Sequence, residues 1–189
     1  ICWTTHPQAT PVKLADGFGG SNPPDATFFK ELNVSITHSL QYGILHLTID
    51  RVERRNALTA EMFADLADEL DQAIMQTAVR VVLLKSSGNV FSAGADLEEM
   101  FSAPEDLERE TRRFFDSIAK FPKPIIAQVS GPCVGEAFAA LLYCDLVYVS
   151  PQALFSLPAV ALARTPRYGA AQIMAAAAGY PAAAEKLLL

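Results

Sequence analysis

The apolar positions of this chain change period repeatedly, and each change marks an element. Val34 to Leu40 and Ile44 to Ile49 alternate apolar with polar residues, as half-exposed strands do, and Gln41-Tyr42-Gly43 between them fits a tight hairpin turn. From Thr59 the period becomes helical. Met62, Phe63, Leu66, Leu70, Ala73 and Ile74 share one face of a helix predicted to run to about Gln76, with Thr59 as its cap. Val79 to Leu84 is a nearly unbroken β-branched and leucine run, which predicts a strand buried on both faces. A short helix is predicted near Ala95. Ser102-Ala103-Pro104 opens a longer one, with Leu107, Thr111, Phe114, Phe115 and Ile118 inward and Pro122 and Pro124 ending it. A strand Ile125 to Val129, a helix from about Gly135 to Tyr143, a strand Leu146 to Val149 and a short extended segment Ala153 to Ser156 follow. Two helices, near Gly169 to Ala178 and Pro181 to Leu189, finish the chain, and the apolar run Ala170 to Ala178 reads as a buried helix. Strands alternating with helices specify β/α units in one layered α/β domain.

Composition narrows the class. The 189 residues suffice for one domain with a real core, and 51% apolar with 19% charged residues is ordinary for a globular protein. A net charge of −6 argues against general nucleic-acid binding, and no apolar run approaches the ~20 residues of a membrane span. The three cysteines, Cys2, Cys133 and Cys144, form no CxxC or Cys/His cluster, so neither a disulfide framework nor a metal site is expected. Residues 1–33 are rich in Pro, Gly, Asn and Ser and read as an extension or linker, with the domain at 34–189. Their Gly17-Phe18-Gly19-Gly20 stretch lacks the preceding strand and following helix of a phosphate cradle. The chain starts at Ile1 and stops at Leu189 within a predicted helix, so its termini read as incomplete.

Two segments carry candidate chemistry. Val81 to Leu97 and Pro124 to Phe138 each run from an apolar strand through a loop of small residues into a helix. Small residues let a ligand approach the backbone, and a helix start has unpaired N–H groups directed outward. Two such loops converging could hold one developing negative charge. Gly131-Pro132-Cys133-Val134-Gly135 also fits the nucleophile elbow of a hydrolase. That fold needs a histidine after the nucleophile, and His6, His38 and His46 all precede it.

Four blocks, RRNALTAEMFADLADEL, FSAGADLEEM, FPKPIIAQVSGPCVG and CDLVYVSPQALFSLP, occur in order and in register. Together they resemble the crotonase superfamily of enoyl-CoA hydratases and isomerases over roughly Val34 to Leu189. The GPxVG form and the TPxxG stretch at Thr165 are most similar to the Δ3,Δ2-enoyl-CoA isomerase branch. The resemblance implies a crotonase-like ββα spiral core, here without the family's C-terminal helices, and a homotrimer or a dimer of trimers. It implies an acyl-CoA substrate, with CoA as part of that substrate and no separate cofactor or metal. Oxyanion donors would be the backbone N–H groups of Ala95 and Glu136. Arg54, Arg55, Ala57, Leu58, Ala93, Gly94, Asp96, Leu97, Gly135, Ala139 and Pro158 would surround the thioester and CoA. The chain departs from the pattern at its acids. The two hydratase carboxylate positions are Ala139 and Ala159, and the isomerase glutamate position is Arg167. Double-bond isomerisation then requires another base, for which Glu136 is the candidate; the alternative is a degenerate acyl-CoA-binding protein on the same fold. Fatty-acid chemistry implies a mitochondrion or peroxisome in a eukaryote, and the cytoplasm in a bacterium.

Overall fold

A computed structural model of the chain describes the backbone of Cys2–Thr5 and residues 35–188. The expectation for residues 1–33 therefore lies almost wholly outside the described residues. The exception is strand β1 (Cys2–Thr5), which pairs in parallel with a strand late in the chain.

The alternating segments form the antiparallel pair β2 (Ile36–Gln41) and β3 (Ile44–Ile49). Tyr42 and Gly43 both have positive φ (52° and 82°), as a two-residue turn between twisted strands requires. Helix α1 (Ala60–Met75) follows, and Thr59 caps it by accepting from the Met62 N–H at 3.2 Å. Met62, Phe63, Leu66, Leu70 and Ala73 are buried as the period predicts, but Ile74 is 37% exposed. It lies at the helix end and lines an outer groove instead of the core.

Strand β4 (Val81–Ser86) starts two residues later than the apolar run. It is also not buried on both faces: Val82 and Leu84 enter the core, while Val81, Leu83 and Lys85 lie on a half-exposed face. Helices α2 (Leu97–Ser102) and α3 (Pro104–Lys120) cross over to β5 (Ile125–Val129). Pro104 at the first turn of α3 lacks only an N–H that has no helical acceptor there. The buried residues of α3 are Leu107, Thr111, Phe114, Phe115 and Ile118, the five that the periodicity selected. They pack on α1, where the Phe63 and Phe114 rings lie 5.7 Å apart.

A two-residue strand β6 (Cys133–Val134), helix α4 (Glu136–Leu141), strand β7 (Leu146–Val149) and strand β8 (Phe155–Ser156) follow. The main sheet has the order β1-β7-β5-β4-β3-β2, parallel except for the β2–β3 hairpin, and β6 with β8 forms a small second sheet. Helices α5 (Ala170–Ala178) and α6 (Tyr180–Leu188) end the described chain. Contrary to the reading of its apolar run, α5 buries only Ala170 and Met174. Alanine favours a helix through backbone propensity and needs no packing partner, so an alanine-rich run does not by itself imply a core position. Among the described residues no helix is long and apolar enough to cross a membrane.

Candidate active site

The strand register places the two small-residue loops side by side. Val82 pairs with Ile125 and Leu84 with Ala127, so the chain leaves β4 and β5 at the same edge of the sheet. From Phe91 to Asp96 the first loop is tied to its neighbours through all but one of its N–H groups. Phe91 and Ser92 donate to Pro132 O, Ala93 to Arg55 O at 3.0 Å, Gly94 to Ser92 Oγ at 3.1 Å and Asp96 to Leu58 O at 2.8 Å. The second loop is held likewise: Cys133 donates to Leu154 O, Val134 to Ser92 O and Gly135 to Ser156 O.

Ala95 is the exception in its run. Its N–H meets no backbone carbonyl; it donates to a carboxylate oxygen of Glu136 at 3.2 Å. Glu136 is the first residue of α4, so its own N–H points out of the helix without an intrahelical acceptor. The contact depends on glycine. Gly94 has φ +91°, and a Cβ there would sit 2.8 Å from Val134 O and 3.4 Å from the Glu136 carboxylate. Gly131 is tighter still, because a Cβ would lie 1.9 Å from Asn89 O. Gly131→Ala is expected to force the loops apart at a cost of about 1–3 kcal/mol or more. Thermal denaturation should register a lower midpoint; an unchanged midpoint would mean that the two loops do not need this approach.

Behind the loop lies an ion pair that the sequence did not announce. Arg51 Nη1 sits 2.5 Å from an Asp96 carboxylate oxygen and also donates to Ala57 O at 3.0 Å. The other Asp96 oxygen caps α2, accepting from Glu98 and Glu99 N–H. Burial works against the charged form of Asp96, but the Arg51 hydrogen bond and the two backbone N–H groups prevail and hold its carboxyl below the ordinary value. Asn56, 1% exposed with φ 55°, closes the same node: it accepts from Arg51 N–H and donates to Ser87 O and Val90 O.

Of the residues proposed from sequence, Ala93, Ala95, Leu97, Gly135, Glu136, Ala139 and Pro158 line one narrow cavity of about 80 Å³. Ala159 and Arg167, which stand where the resemblance places acids, line it too. Arg54 and Arg55 lie on an exposed turn outside it, with Arg54 3.7 Å from Glu98. Ala57 and Leu58 lie in the segment that braces the loop, and Leu58 is core. Gly94 supplies close approach, and the Asp96 carboxylate is turned towards Arg51 and α2 instead of the cavity.

A wider cavity of about 300 Å³ shares Ala95, Leu97, Met100 and Glu136 and extends past Phe101, Leu107 and Glu108. Leu162, Arg164 and Tyr168, none of which the motifs selected, line both cavities. Their local signal was the turn-rich run from Pro158 to Gly169. Positive φ at Ala163, Tyr168 and Gly169 folds it back, and Tyr168 stacks on Phe115 with ring centroids 4.3 Å apart. Tyr143 hydroxyl donates to Tyr168 O at 2.7 Å and Tyr168 hydroxyl to Glu108 at 3.1 Å. Burial, then the neighbouring Glu108 carboxylate, pushes the Tyr168 phenol up to about 12, so it stays a donor. Glu108 is also paired with Arg112 and Arg167.

The elbow reading fails on geometry. Cys133 is 0% exposed within β6, and burial, with the Cys144 thiol adding to it, pushes its own thiol well up, so no thiolate is available. His38 lies 2.9 Å from Glu69 on β2, and His46 lies half-buried on the outer face of β3, as its alternation implied.

A mainly parallel sheet with two loops meeting over a cavity at one edge is an α/β fold of the crotonase type, and solved structures agree. OdaA of Pseudomonas aeruginosa superposes with a TM-score of 0.79 at 38% identity, covering 82% of this chain and 64% of that one. An enoyl-CoA hydratase of Mycobacterium avium subsp. paratuberculosis superposes at 0.77 with 31% identity, over 83% and 64%. In sequence, the chain is 34% identical over 154 residues to the 2,3-dehydroadipyl-CoA hydratase of Escherichia coli K12, covering 79% of this chain and 60% of that protein. It is 31% identical over 153 residues to enoyl-CoA delta isomerase 2 of Rattus norvegicus, covering 77% and 39%. The chain thus spans about 60% or less of the length of these two relatives. The profile of the enoyl-CoA hydratase/isomerase family matches residues 39–189, and the chain belongs to that family.

Proposed function

We propose that the chain binds fatty acyl-CoA thioesters and moves a double bond from C3 to C2, with the N–H groups of Ala95 and Glu136 forming an oxyanion hole. The observation that carries this reading is the isolation of the Ala95 N–H. Its neighbours Ala93, Gly94 and Asp96 are all bonded within the fold, whereas Ala95 meets only a side chain that can rotate away. A thioester oxygen entering there displaces the Glu136 carboxylate and leaves it beside the reacting carbons. Glu136 then takes a proton from C2, the electrons move onto the thioester oxygen as the C3–C4 double bond conjugates, and the proton returns at C4. The product is the 2-enoyl thioester. Each donor of such a hole is worth about 2.7–4 kcal/mol of transition-state stabilisation. The exposed Arg54–Arg55 turn is suited to the CoA phosphates.

The test is to supply a 3-enoyl-CoA and follow the conjugated thioester, with a 2-enoyl-CoA in water as the comparison. Isomerisation without hydration is expected, since Ala139 and Ala159 hold no second acid at the cavity. Those alanines also favour a second reading, a non-catalytic acyl-CoA binder. Tight binding with turnover of neither substrate would establish it and reject isomerisation.

A further inference from the structure

We infer that the acyl group taken by this site carries a carboxylate at its far end, and that Arg164 receives it. The inference rests on the acyl-CoA reading above and adds the substrate class. Arg164 is half-buried and lines the narrow cavity that holds Ala95 and Glu136, the wider cavity that shares those two residues, and the edge of the outer groove at Ile74. A tight turn fixes its backbone, with Arg164 N–H donating to Ala159 O at 2.8 Å. Its guanidinium donates to the Met100 thioether, a weak acceptor, and among the described residues no carboxylate lies within 4.0 Å of it. The nearby cations differ: Arg167 and Arg112 are both paired with Glu108, and Arg109 with Asp106.

The placement favours the acyl end over CoA. The Arg54–Arg55 turn lies against α2 at Glu98, whereas Arg164 touches the same helix at Met100, on the cavity side. A thioester carbonyl at Ala95 with CoA on the Arg54 flank directs its acyl chain into the wider cavity. There Phe101 and Leu107 offer apolar wall, and Arg164 a charge without an ion-pair partner among the described residues. A plain hydrocarbon tail would dehydrate that guanidinium without compensation, which is costly. A terminal carboxylate would meet it with two parallel charge-assisted hydrogen bonds.

The experiment compares, by calorimetry on the whole chain, saturated and therefore unreactive pairs that differ only in the terminal group: adipyl- against hexanoyl-CoA, suberyl- against octanoyl-CoA, sebacyl- against decanoyl-CoA. At the chain length that reaches Arg164, the dicarboxylic member is expected to bind at least tenfold tighter, with the preference shrinking as salt rises. In Arg164→Met the ratio of the two affinities should fall to about one, and in Arg164→Lys part of it should return. Thermal denaturation of each variant establishes that it is folded. No preference at any length, or a preference that Arg164→Met leaves intact, overturns the inference while leaving the acyl-CoA reading standing. Failure of every acyl-CoA to bind would overturn both.

Discussion

Glu136→Gln should lower the proposed 3-enoyl-CoA isomerisation by about 10²–10⁴-fold, the range a general base contributes. The amide keeps an oxygen that Ala95 N–H can reach, so the loop contact survives while proton transfer does not. Glu136→Ala is the more informative partner. It removes the same base but also clears the Ala95 N–H, which Glu136 occupies at 3.2 Å. An unreactive acyl-CoA no longer has to expel a carboxylate, so its affinity should rise by up to about tenfold, equivalent to 1.4 kcal/mol. Turnover and affinity thus move in opposite directions in one variant. A base remote from the thioester would lower turnover without changing affinity, and a glutamate that merely braces the loop would weaken both. Full turnover in Glu136→Gln would remove Glu136 from the chemistry.

Arg51→Ala should be the most destabilising single change in the site's support. It strands a carboxylate whose side chain is 8% exposed, and removing one partner of a buried pair costs about 3–5 kcal/mol. For a chain of this size that lowers the denaturation midpoint by roughly 10 °C; a shift below about 2 °C would show that the pair is not structural. The same node predicts a pH dependence. Asp96 has a folded-state pKa below its ordinary 3.8. Its stabilisation is therefore complete above about that value and is lost as pH falls through the lower folded-state value. Denaturant midpoints measured between neutral and strongly acidic pH should show this loss in the wild type, and Asp96→Asn should be less stable at neutrality with a flatter acid limb.

Much of this architecture was written locally. The inward face of α3 could be read directly because helical period and burial coincide over 17 residues. The Tyr42-Gly43 turn was legible because backbone conformation there is a property of two residues. The motifs likewise brought Ala93, Ala95, Leu97, Gly135, Glu136, Ala139 and Pro158 to one cavity. What escaped was non-local. Arg51 and Asp96 are 45 residues apart, and nothing in either neighbourhood names the other. The β6–β8 pairing rests on two residues from each strand, too few for a period. Arg164 and Tyr168 lie in a run of turns, where side-chain direction follows from positive φ at Ala163 and Tyr168 instead of any repeat. The exposure of α5 shows the converse error: hydropathy reported alanine content, not burial.

The path between β4 and β5 has a double duty. Its hydrogen-bonded neighbours fix where the Ala95 amide stands, yet the length of chain from Leu97 to Lys120 also furnishes Met100, Phe101, Leu107 and Glu108 to the wider cavity. Anchoring and lining fall to different atoms of one crossover, backbone ties for the first and outward side chains for the second. Side chains of that crossover can therefore be exchanged to reshape the wider cavity, with the backbone ties that hold the Ala95 amide left in place.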